Sequence, residues 1–266
     1  MTDQTPAQPA PNAIEKYKTV ALAVAADDVP ASRELLAAFR AQGKDLSEED
    51  VLALGFRWFT LRKKEKSPDM INFLHELGFS MTQFVPNAGQ RAASGNHLPF
   101  LLMEDPNEVP LLKRAIEIGA IPLTQRDTRG DSLLADALDM NNFELADWLL
   151  EKGIDPNLKN VAGQTALHSF AAKANFRAVH WLVTHGADPD VEDIHYNRPS
   201  QLVPESIEDG WDVDCLYDAL EDFVDDFKAG RPFQGNPTFF EQVAREEREE
   251  AEDKAKAEAS RKPKSP

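Results

Sequence analysis

Apolar pairs recur along the chain, each followed shortly by a glycine. Leu35-Leu36 precedes Gly43, Phe73-Leu74 precedes Gly78, and Ala115-Ile116 precedes Gly119. Leu149-Leu150 then precedes Gly153, and Leu182-Val183 precedes Gly186. A glycine just past an apolar turn reads as the end of a helix, because the residue there adopts the left-handed conformation. The glycine intervals are 35, 41, 34 and 33 residues, so helix ends are predicted at a near-constant spacing. The one long interval contains Met81 to Asn96, rich in Gly, Ala, Ser and Asn, and predicts a longer connection. Val51, Leu54, Gly55, Trp58 and Leu61 add an apolar stripe at helical spacing.

Two segments align without gaps. One runs from Asp127 through Gly130, Ser132, Leu133 and Leu134 to Leu149-Leu150, Gly153, Asp155 and Asn157. The other runs from Asn160 through Gly163, Thr165, Ala166, Leu167 and His168 to Leu182-Val183, Gly186, Asp188 and Asp190. Gly130 to Gly163 is 33 residues and so is Gly153 to Gly186. Gly130 and Gly163 fall where a tight turn calls for positive φ. Ser132 and Thr165 are placed to cap the helix that follows. Each predicted helix pair is too short to bury its apolar face alone, so stacking of neighbours must supply the core.

These residues resemble the ankyrin repeat, which reads roughly Asp-x-x-Gly-x-Thr-Pro-Leu-His-x-Ala-Ala, then a second helix, then Leu-Leu-x-x-Gly-Ala-Asp-x-Asn. The resemblance is close over 127–190. Ala166 stands where the family has Pro, and the first segment has Ser132, Leu133 and Ala135 for Thr, Pro and His. Asp193-Ile194-His195-Tyr196-Asn197 resembles the start of another repeat, with Tyr196 in the glycine place. The resemblance implies an all-α solenoid of about five helix-pair repeats, a divergent C-terminal cap and a charged tail. The domains expected are a disordered 1–12, a solenoid over 13–230, and a linker and partly helical tail over 231–266. The tail from Glu241 to Pro266 carries eight acids and seven bases and has Val243 and alanines as its apolar residues. Glu250–Lys254 and Glu252–Lys256 are spaced to support a helix, which should protrude or fray for want of an apolar face.

Charge narrows the function. The net charge is −17, which excludes docking on nucleic-acid phosphates or anionic membranes and favours a basic partner. Residues 188–227 hold fourteen acids and one base, Arg198, a net of −13. Leu216, Leu220, Phe223 and Phe227 form an apolar stripe there, with Asp218, Asp222 and Asp225 opposite. Two readings stand: a solvated capping face, or an acidic docking surface. Asp212-Val213-Asp214 starts like an EF-hand loop but lacks its glycine and terminal Glu. The single cysteine, Cys215, excludes an intramolecular disulfide and a cysteine-based zinc site. No signal peptide or membrane span is read, so the expected location is cytoplasmic.

Catalytic patterns do not emerge. His180 and His185 are five apart, Ser169 sits in no nucleophile elbow, and no glycine-rich phosphate loop is present. The resemblance implies that His168 bridges backbone groups of neighbouring turns. The chain is therefore expected to be non-enzymatic, with no cofactor or metal, and monomeric. From the resemblance, a partner surface along the hairpin tips and inner helices would comprise Thr128, Arg129, Asp131, Asp139 and Met140. Val161, Ala162, Gln164 and Lys173 continue it, followed by Ile194, His195, Tyr196 and Asn197. The acidic flank adds Asp212, Asp214, Asp218 and Asp222. The function expected is binding a basic protein, in a narrower version as an inhibitor or immunity protein. The alternative is a regulatory or recruiting subunit of an enzyme assembly, tethered by the tail.

Overall fold

The computed structural model describes residues 18–60, 66–82, 97–206 and 211–261, with side chains to 257. Leu61 and most of the 81–96 connection lie outside the described residues, as does the N-terminal 1–12 segment. The described residues form twelve α-helices and one short 3₁₀ turn, with no strand among them. The chain divides into two compact units, Met1–Pro122 and Leu123–Pro266.

Unit 1 holds three helix pairs: α1 (Val20–Ala25) with α2 (Val29–Ala41), α3 (Glu48–Thr60) with α4 (Pro68–Glu76), and α5 (Leu98–Glu104) with α6 (Val109–Glu117). Starts are written in the sequence. Asp28 accepts from the Ala31 N–H at 3.1 Å and Ser67 from the Asp69 N–H at 3.2 Å. Each satisfies a first-turn donor that has no partner inside its helix. The pairs stack as repeats do, α1 on α3 and α4 on α2 and α6. Trp58, Met70, Ile71, Phe73, Leu74 and Phe79 are fully buried between them. Asp27 ties the layers: it accepts from Trp58 Nε1 at 2.8 Å and from the Ser67 N–H at 2.7 Å.

Gly55 lies inside α3, where glycine normally weakens a helix. A Cβ there would sit 2.1 Å from the Phe79 ring. That ring is buried and held against Phe56 and Phe59, at centroid distances of 5.7 and 5.8 Å. Overpacking therefore outweighs propensity. Gly55→Ala is expected to lower stability by about 1–3 kcal/mol, read as a lower urea midpoint at unchanged slope. A stabilised variant would show that the ring yields freely.

Unit 2 continues with α7 (Leu133–Asp139), α8 (Phe143–Glu151), α9 (Ala166–Ala172) and α10 (Phe176–Thr184), then a 3₁₀ turn (Pro199–Leu202) and α11 (Asp214–Lys228). The five helix pairs and a divergent sixth match the expected repeat count. Gly43, Gly78, Gly119, Gly153 and Gly186, which set the spacing, each follow a helix. In the sixth pair the first helix shrinks to the 3₁₀ turn, which packs between α9 and α11. Leu216, Leu220 and Phe223 are buried as the stripe requires, but its fourth member, Phe227, is exposed in the last turn of α11.

The tail departs from expectation. Its helix, α12, runs Pro237–Arg261 and begins before the charged run. Phe239 and Val243 are buried against unit 2, so the first half is docked. The described side chains from 251 to 257 are exposed, as foreseen for the whole. The physical reason is the short apolar face of Phe239 and Val243, which begins before the polar segment.

Candidate protein-binding face

Three hairpin tips repeat the same hydrogen bonds at 33-residue steps. Asp127, Asn160 and Asp193 each open a tip. The Oδ1 of each accepts two backbone N–H groups, from the residues two and four places on, at 2.7–3.0 Å. Their own N–H groups donate to the carbonyls of Asp131, Gln164 and Asn197 at 3.0, 2.8 and 3.0 Å. This side-chain turn chemistry is why Asp or Asn occupies the position.

Consecutive tips touch. Ile194 N–H donates to the Ala162 carbonyl at 3.1 Å. Asn160 Nδ2 donates to Asp131 at 3.0 Å, and Gln164 Nε2 to Asp193 at 3.3 Å. Gly130 and Gly163 are required twice over. Both have positive φ, +85° and +73°, and a Cβ would meet the backbone N of Val161 at 2.9 Å and of Ile194 at 3.1 Å. Tyr196 also has a left-handed φ of 64°, and its turn closes through the Asp193 carbonyl at 3.1 Å. The turn thus forms without glycine. Its side chain is 79% exposed, so no neighbour demands the close approach that excludes a Cβ at the earlier tips.

His168 ties α9 to the third tip. Its Nδ1 accepts from the Thr165 N–H at 3.2 Å, and its Nε2 lies 3.1 Å from the Asn197 carbonyl. A carbonyl only accepts, so Nε2 carries the proton and both ring nitrogens are used. Burial lowers its pKa, which keeps the ring neutral. Among the described residues no group of three or more His, Cys, Asp or Glu is placed to hold a metal.

The tips present apolar groups to solvent: Val161 is 83% exposed and Ile194 61%. Tyr196 follows them, with His195 also exposed. Beyond, α11 turns Asp214, Asp218, Asp222 and Asp225 outward, beside a half-exposed Tyr217. The rest of the acidic segment is partly internal. Asp190 pairs with Arg198 and Lys228, both at 2.9 Å, and Asp226 with Arg231 at 2.8 Å. Burial and the adjacent Asp212 push the Cys215 thiol up to about 11, which leaves it unreactive. In unit 1, a groove between α1, α2 and α3 is lined by Val20, Leu35, Phe39 and Leu54. Lys18, Asp50 and Arg57 also line it.

Residues 134–183 match the family described as ankyrin repeats (many copies). Over that stretch the chain carries ankyrin repeats. Comparison with the curated proteins gives no match. Among solved structures, the ankyrin repeat domain of Bcl-3, titled a unique member of the IkappaB protein family, aligns over 70% of this chain and 93% of its own. Identity is 19% and the TM-score 0.42, too loose a likeness to bear on function. No described helix is long and apolar enough to cross a membrane.

The structure separates the seventeen sequence-selected residues into two groups, with Ala162 among those that link tips through its carbonyl. Val161, Ile194, His195, Tyr196 and Thr128 lie exposed on the tips, and Asp214, Asp218 and Asp222 on α11. The others have work within the fold. Asp139 and Lys173 pair across α7 and α9, Asp131 and Gln164 link tips, and the Asn197 carbonyl holds His168. Asp212 accepts from the Cys215 N–H at 3.3 Å, and Met140 is half-buried as the C-cap of α7. Arg129 faces three carboxylates, Asp127, Asp131 and Asp136, at 3.0, 3.3 and 3.3 Å.

Asp136, buried on α7, was not legible as part of this set. Burial first, then the Asp127 carboxylate, push its pKa up to about 8 against the pull of Arg129. A carboxyl with a raised folded pKa stabilises fully below its unfolded value, 3.8, and loses that contribution as pH rises toward about 8. Asp136→Asn mimics the protonated form. It is expected to be more stable than the native chain at about pH 9, with the gap closing by about pH 4, in paired urea titrations. The His168 shift has the opposite sign but is common to both chains and cancels.

Proposed function

We propose that the chain binds a protein partner through its row of hairpin tips, continued by the acidic face of α11. Ankyrin repeats generally mediate protein–protein interaction, and the tips are where this chain departs from what folding alone asks. Tyr196 carries the reading. It holds a backbone conformation that disfavours a side chain, yet leaves that side chain in water. Val161 and Ile194 extend it into an exposed apolar row. Aromatic residues of this kind anchor interfaces. On α11, the outward-facing Asp214, Asp218, Asp222 and Asp225 select a partner that also carries basic residues.

Changing those four aspartates to asparagine tests the electrostatic half. Affinity capture at low and at moderate salt should recover a basic protein with the native chain, less of it as salt rises, and little with the variant. Acidic partners, or capture indifferent to salt, contradict the reading.

A further inference from the structure

Helix α12 meets unit 2 through contacts that the repeat does not require. Phe239 packs among Phe176, His180 and Phe233, at ring-centroid distances of 6.0, 6.1 and 5.6 Å. Val243 is buried one turn on. Next on the same face, the Glu246 carboxylate accepts from the Phe176 N–H at 3.1 Å and the Arg177 N–H at 2.7 Å. These open α10, where backbone N–H groups have no acceptor within the helix. Arg177 pairs in turn with Glu250, and Arg245 lies 4.1 Å over the Trp211 ring. Phe239, Val243, Glu246 and Glu250 thus form one stripe, spaced i, i+4, i+7 and i+11.

We propose that α12 is a displaceable strap. Its first half fills a docking face on α10, and that face accepts a partner's amphipathic helix of the same pattern. The pattern is an aromatic residue followed at four by an apolar residue and at seven by a carboxylate. This face is separate from the tips. Three observations favour displacement. Among the described side chains of α12, the buried apolar ones are Phe239 and Val243, a small hold for so long a helix. The Glu246 anchor is itself desolvated, which raises its pKa and offsets part of what its hydrogen bonds contribute. The connection from Lys228 to Pro237 contains Gly230 and Gly235, both left-handed, and no helix. Closure is then favoured chiefly by the high effective concentration of a tethered segment.

Hydrogen exchange on the full chain tests the strap, because the Phe176 and Arg177 amides are bonded to Glu246 and report its contact directly. Glu246→Ala should speed exchange at both, and along the first half of α12, by about tenfold or more. Leu167 and Leu182 should keep their protection. Unchanged exchange at Phe176 and Arg177 overturns the strap. So does a matching loss at Leu167 and Leu182, which would make α12 inseparable from the repeat core. The face is probed with a fluorescent peptide of residues 237–250. It should bind the Phe239→Ala, Glu246→Ala chain about tenfold or more tightly than the native chain, whose own strap competes. Failure to bind the released chain overturns the docking face.

Discussion

Replacing Glu108 with alanine is expected to cost unit 1 about 3 kcal/mol. Its partner Lys66 has a side chain only 3% exposed. The ammonium pairs with Glu108, donates to the Phe59 carbonyl at 2.8 Å, and lies 5.6 and 5.8 Å from the Trp58 and Phe59 ring centroids. Removing the carboxylate leaves a cation without its counter-charge and largely out of water. The lower end of the range for broken buried pairs applies, because Glu108 is itself a quarter exposed and part of the region is solvated. Lys66→Met should cost less, since methionine keeps the stem packed and the remaining carboxylate can hydrate. The double variant should recover most of the Glu108→Ala loss. Urea midpoints for the four chains give the coupling. Equal and small single effects would mean that the pair is held in water.

Replacing Tyr196 with glycine should move stability and binding in opposite directions. Glycine accepts the φ of 64° without strain, and an exposed ring contributes little packing, so the fold should gain about 1 kcal/mol. The loss of an interface anchor should weaken partner binding by about thirtyfold, equivalent to about 2 kcal/mol. A merely tolerated tyrosine would give the first effect without the second. Thermal unfolding and titration of the captured partner read the two separately.

The repeat was legible because its signals are local. Gly130 and Gly163 are constrained by their own φ and by the next tip, and Asp127, Asn160 and Asp193 bond to N–H groups two and four residues away. Such constraints write themselves into spacing. Contacts over long sequence distances leave no such mark. Glu246 reaches α10 across 70 residues, and Lys66 reaches Glu108 across 42. Asp136 sits at the place that Ser169 takes one repeat later, and composition alone gives no sign that it is buried. The docked half of α12 was obscured because its apolar face begins at Phe239, before the polar run that defines the tail. Spacing could not separate Tyr196, whose side chain is exposed, from Lys173 and Asp139, bound to each other.

The tips and the outer face of α11 are expected to meet one partner. Photo-crosslinking amino acids at Tyr196, Asp218 and Glu144, each in the full chain in its native cells, test it most directly. Crosslinks are expected from Tyr196 and Asp218 to the same protein, through peptides rich in Lys or Arg, with background yield from Glu144 on α8. Equal yield from Glu144, or different proteins captured at Tyr196 and Asp218, would contradict it.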